Sequence, residues 1–90
     1  MSLNSTFQAL ADPTRRQILQ LLKKRSQAVG ELALNFDVSL PSLSHHLAIL
    51  KSADLVSTTR RGQQIIYALN LSVFEEITDE ILNFFNKSSK

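Results

Sequence analysis

"SLPSLSHHLAILKSADLV", residues 39–56, is the stretch whose reading decides the fold. Ser39 is a good helix N-cap, and Pro41 falls in the first turn, where its missing N–H costs nothing. Leu43, Leu47 and Leu50 then recur at helical spacing. At about 100° per residue, Leu40 lies about 60° from Leu43 and joins the same buried stripe. The spacing predicts a helix from about Leu40 to Ala53. Pro41, Ser42, His45 and Ala48 point broadly away from the stripe, Ser44 lies to the side, and His46 sits at the stripe's edge. A metal, a substrate, DNA or plain water could face that polar half.

Side-chain chemistry separates these four. Adjacent histidines splay about 100° apart on a helix, whereas two zinc ligands on one helix want i, i+3 or i, i+4 spacing. No third ligand lies within helical reach. A hydrolytic site fares no better: Ser42 and Ser44 neighbour His45, but no carboxylate follows to orient the imidazole and no glycine-rich oxyanion loop exists. DNA accounts for more features together. Small residues let the helix approach base edges closely, serine and histidine can both donate to and accept from those edges, and the N-terminal turn presents backbone N–H groups toward phosphate. A merely solvated face is the bland alternative.

The flanks make the DNA reading architectural. Upstream, "AVGELALNF" (28–36) reads as a short helix with Val29, Leu32, Ala33 and Phe36 inward, joined by the connector "DVS" (37–39). Two helices and a tight turn make a helix-turn-helix. Further upstream, Asp12 caps a helix that starts at Pro13, buries Ile18, Leu19, Leu21 and Leu22, and ends in Lys23, Lys24 and Arg25, where cations suit the helix dipole. A helix of a few turns over residues 3–10, with Phe7 and Leu10 three apart, precedes it. Downstream the period falls to two. "LVSTT" (55–59) and "QIIYAL" (64–69) flank "RRGQ", a hairpin signal that puts Arg60 and Arg61 on the turn. "NLSVFEEITDEILNFFNK" (70–87) is helical again. The expected fold class is α+β, mainly α: a winged helix-turn-helix in a single domain over residues 1–90.

The chain has 90 residues, enough for one domain with a thin core. It has no cysteine, which excludes disulfides, thiolate metal sites and a cysteine nucleophile, and fits a cytoplasmic location. "MSLNSTFQALADPTRR" lacks the apolar run of a signal peptide, and no stretch approaches the ~20 apolar residues of a membrane span. Residues 1–38 carry five Lys/Arg and three Asp/Glu, residues 39–69 three and one, and residues 70–90 two and four. A basic body of +2 and +2 therefore precedes a tail of −2, and such a body suits a polyanion.

"LADPTRRQILQLL", "VGELALNFDVSLPSLSHHLAILKSADLV" and "RRGQQIIYAL" together resemble the ArsR family of bacterial winged-helix repressors. The resemblance covers about residues 6–70, with three separated motifs in family order. It implies a homodimer that binds an imperfect palindrome of double-stranded DNA in its own operator and catalyses nothing. It maps Ser42, Ser44 and His45 onto the part of the recognition helix that enters the major groove and Arg60 and Arg61 onto the wing; Ser39 and Pro41, at the start of that helix, complete the expected DNA-binding set. It assigns dimerisation to the first and last helices, residues 3–10 and 71–87. The residues agree: Phe74, Ile77, Ile81, Leu82, Phe84 and Phe85 form a stripe too broad for a 90-residue monomer to cover, and Phe7 joins them from the first helix.

Many relatives sense metals through a thiolate site near "AVGEL" or a site on the last helix. Here the first holds Ala28 and Gly30, and the second aligns with Leu71, Val73, Phe84 and Lys87, none a competent ligand. No cofactor is expected. Glu75, Glu76, Asp79 and Glu80 read as a solvated face. The chain is thus similar to the non-metal, SdpR-type autorepressor branch, whose resemblance implies a membrane-embedded immunity protein as anti-repressor. Two rivals stay open: a sensor with a small effector at the dimer interface, and a protein-interaction winged helix that has lost DNA binding.

Overall fold

Asp12 and Ser39 start the two helices that organise the molecule. The computed structural model describes residues 3–88, with side-chain surroundings given through residue 85. In chain order the elements are α1 (Leu3–Leu10), α2 (Pro13–Lys24), β1 (Gln27–Ala28), α3 (Val29–Ala33), α4 (Leu40–Ser52), β2 (Val56–Arg61), β3 (Gln64–Leu69) and α5 (Leu71–Ser88). The Asp12 carboxylate accepts the Arg15 backbone N–H at 3.1 Å, and the Ser39 hydroxyl accepts the Ser42 N–H at 3.2 Å. Each satisfies one of the donors that a helix start leaves orphaned. The winged helix-turn-helix expected from the sequence is the architecture found.

α4 packs on α2, α3 and β2. Ile18, Leu32, Leu43, Leu47, Leu50 and Leu55 are each under 2% exposed and form the centre of the core. Leu40 departs from expectation: it is 57% exposed. The buried stripe of α4 begins one turn later, at Leu43.

α3 is shorter than the expected 28–36 and ends at Ala33. Leu34 shares its N–H between the Glu31 and Leu32 carbonyls, and Asn35 N–H→Leu32 and Phe36 N–H→Ala33 bonds follow at i→i−3. Such bonds tighten and close a helix. The Asn35 amide also donates to the Glu31 and Leu32 carbonyls, a local competitor to helical pairing. Phe36 still packs on the core from the loop.

α4 closes with a Schellman motif: Leu55 N–H donates to the Leu50 carbonyl and Asp54 N–H to that of Lys51, both at 3.0 Å. Asp54 takes the left-handed conformation this needs, with φ 60°.

The sheet has three strands where the sequence suggested two, in the antiparallel order β1-β3-β2. Gln27 pairs with Tyr67 and Ala28 with Ile66. The hairpin also turns more tightly than "RRGQ" implied. Arg60 pairs with Ile65 and Arg61 with Gln64, so both arginines end β2 and only Gly62 and Gln63 form the turn. Gly62 has φ 63°, which a two-residue hairpin accommodates best with glycine at its first turn position.

The molecule measures 51 × 24 × 21 Å, with a radius of gyration of 14.5 Å. A compact chain of this length would have about 12 Å. The excess comes from α5, whose 18 residues begin on the core at Val73 and Ile77 and then run past it.

Candidate nucleic-acid interface

The first two turns of α4 bring five expected site residues together. Ser39, Pro41, Ser44 and His45 are exposed and Ser42 is half-buried, all around one end of a helix whose back is sealed by Leu43, Leu47 and Leu50. Small side chains and the hydroxyls of Ser42 and Ser44 at that end suit close approach to base edges. His45 lies to the flank facing α1, where it lines a shallow groove of about 290 Å³ with Ser5, Gln8, Ala48, Ile49 and Ser52.

The wing supplies the cations. Adjacent strand positions face opposite ways, so Arg60 and Arg61 leave β2 on different sides. Both are exposed. The Arg60 Nε–H donates to the Gly62 carbonyl at 3.2 Å and is thereby folded onto its own turn. Arg61 has no hydrogen bond or ion pair among the described residues, which leaves its whole guanidinium to an outside acceptor.

Behind α4 lies a cluster that the sequence did not disclose. Arg15 of α2 donates through Nε to the Ala9 carbonyl at 2.8 Å and through one terminal nitrogen to that of Gln8 at 3.0 Å, capping the end of α1. Its other terminal nitrogen lies 3.2 Å from His46 Nδ1 on α4. A guanidinium only donates, so Nδ1 is the acceptor in this contact. Asp12 sits 3.9 Å from the same nitrogen. His46 is therefore a structural residue tying α4 to α1 and α2, and the two histidines, with ring centroids 6.1 Å apart and tilted, serve different faces. His46 stands 31 residues from Arg15, so no local spacing could announce the pair.

Partial burial tends to raise the Asp12 carboxyl, but the Arg15 N–H, the His46 ring, the Thr14 N–H and the Arg15 charge outweigh it and hold it below the usual range. A carboxyl depressed in the folded state contributes stability above its unfolded pKa and loses it as pH falls through the folded value. Asp12→Asn retains a capping oxygen without the charge. Its melting temperature is therefore expected to trail the parent's at neutral pH, and thermal melts at decreasing pH should show the gap closing below about pH 4.

The expected dimer residues separate into two sets. Ile77 is 7% exposed and Phe74 is partly buried against the core, so both are already committed within one chain. Phe7, Ile81, Leu82, Phe84 and Phe85 are between 39% and 66% exposed. Leu3, Phe7, Ile81, Phe84 and Phe85 line an apolar cleft of about 430 Å³ between α1 and α5, with Glu80 at its edge. Glu75, Glu76, Asp79 and Glu80 are exposed, and among the described residues no three His, Cys, Asp or Glu gather as a metal site. Also among the described residues, no helix is long and apolar enough to cross a membrane.

Residues 12–58 match the family described as bacterial regulatory protein, arsR family. The chain is 48% identical over 85 residues to the transcriptional repressor SdpR of Bacillus subtilis (strain 168), covering 94% of each. It is 38% identical over 82 residues to the HTH-type transcriptional regulator Rv2034 of Mycobacterium tuberculosis, covering 91% of this chain and 77% of that one. Its fold superposes with a TM-score of 0.90, at 33% identity, on the crystal structure of the ArsR family transcriptional regulator RHA00566, covering 98% and 97% of the two chains.

Proposed function

Since this chain belongs to the ArsR family of bacterial regulatory proteins, and is thereby a transcriptional regulator rather than an enzyme, we propose that it represses its own operon by binding an imperfect palindrome as a homodimer, without a metal cofactor. The observation that carries this reading is the first half of α4: small polar side chains exposed on one side, leucines sealed on the other, and arginines on the neighbouring wing. Two such helices would enter successive major grooves about one helical turn apart, with the wings on flanking minor groove or backbone. The apolar cleft between α1 and α5 would receive the second copy.

Metal independence rests on the donor set. The chain has no cysteine, and the positions that the family resemblance matches to the last-helix metal site of sensing relatives hold Leu71, Val73 and Phe84, whose side chains offer no lone pair; Lys87, the fourth, lies outside the residues with described side-chain surroundings. Nothing among the described residues marks where a membrane-embedded immunity protein would dock.

Fluorescence anisotropy tests the reading, using DNA from the gene's own upstream region and scrambled DNA, over a range of salt, with EDTA and with added zinc. Selective, salt-dependent binding that ignores zinc is the expected result. Release by zinc would overturn metal independence, and release by a small metabolite would favour an effector-gated repressor. Absence of selective binding would favour a protein-interaction module.

Arg61→Ala should weaken binding to all sequences alike. A single lost phosphate contact lowers the slope of log K against log salt by about 0.9 in magnitude. An unchanged slope would take Arg61 off the DNA backbone.

A further inference from the structure

Leu40 is apolar, 57% exposed, and placed as the first residue of α4, immediately after the Ser39 cap. The helix has ample means of burying leucine: Leu43, Leu47 and Leu50 are each at most 1% exposed. Leu40 alone among its leucines is left out. Val38, just before the cap, is 41% exposed, and Leu34 in the same connection is 88% exposed. Single exposed apolar side chains are ordinary on protein surfaces. Three within seven residues, at the end of the helix aimed at DNA, call for a partner that is itself partly apolar.

Base edges offer one such group in the major groove. The 5-methyl of thymine is the apolar feature that distinguishes an A·T pair there, and the N-terminal residues of a recognition helix are the ones that meet base edges. Ser39 and Ser42, on the same turn, supply hydroxyls for polar neighbours, although Ser39 Oγ already accepts the Ser42 N–H. An exposed leucine on the same first turn adds what they lack, a surface that prefers a methyl to water.

We propose that Leu40 is a specificity-determining residue that packs on the 5-methyl group of a thymine in each half-site. The inference rests on the DNA-binding reading above and extends it to a base identity.

The test combines one substitution with one atomic deletion in the DNA. In a duplex that the parent protein binds selectively, each thymine of a half-site is replaced in turn by deoxyuridine, which removes only the methyl. For the parent, one or two positions should lose affinity about four-fold, the factor that burial of one methyl group corresponds to. Leu40→Ala, whose fold is checked by its melting curve, should bind the thymine duplex correspondingly more weakly. It should also be indifferent to deoxyuridine at those positions. Equal uracil penalties in the parent and in Leu40→Ala would overturn the inference while leaving operator recognition intact, as would the absence of any sensitive thymine. A parent that binds no DNA selectively would overturn both.

Discussion

A Phe84→Glu chain is expected to sediment as a monomer and to bind operator DNA about 10²–10⁴-fold more weakly than the parent. Phe84 is 66% exposed in the single chain and stands 5.6 Å, edge to face, from Phe85 at the lip of the α1–α5 cleft. A carboxylate there meets water in the monomer but would have to be desolvated, unpaired, inside an apolar interface. The loss at DNA follows from linkage. Two half-sites held by one particle reinforce each other through effective concentration, and separating the copies forfeits that factor without touching a DNA contact. Sedimentation equilibrium and operator titration of the same sample check the two halves together. A dimeric Phe84→Glu protein would place the interface elsewhere.

Leu47→Ala acts from the buried side of α4. Leu47 is 0% exposed, between Leu43 and Leu50, at the seam where α4 meets α2 and α3. Truncating a fully buried leucine costs about 2–5 kcal/mol. A 90-residue chain has roughly 5–13 kcal/mol in all. The variant should melt lower by about 10 °C or more. Denaturant and thermal melts at matched protein concentration measure the loss, since association itself adds to stability. Binding to operator in the cold, below the variant's melting range, should approach the parent's, because no surface group has changed. Persistent loss of binding in a folded sample would mean that α4 has shifted on its bed.

What could be read from the sequence was what local chemistry determines. Asp12-Pro13 and Ser39 with Pro41 marked two helix starts because caps and proline act within one turn, and the structure confirms both. The hairpin was visible in its change of period. β1 was not, because a two-residue strand has no period and its partners, Tyr67 and Ile66, lie about forty residues on. The end of β2 was misjudged because arginine resembles a turn residue in composition, whereas the register carries it into the ladder to within two residues of its return. Leu40 fitted the angular stripe, but angle alone does not tell how far along its axis a helix is covered. The candidate DNA face was legible because exposed polarity opposite a leucine stripe is a pattern within one helix. Arg15 with His46 was not, since it exists only after three helices have packed.

β1 has a consequence out of proportion to its two residues. It leads directly into α3 and pairs with β3, so the strand that feeds the first helix of the helix-turn-helix belongs to the same sheet as the hairpin. The hairpin is thereby prevented from behaving as a free flap. The base of the hairpin, at Ile66 and Tyr67, is held against the strand that leads into α3, and less ordering entropy remains to be lost there on meeting a ligand. Two paired residues thus act as a hinge pin that joins the wing's base to the entry of the helix-turn-helix.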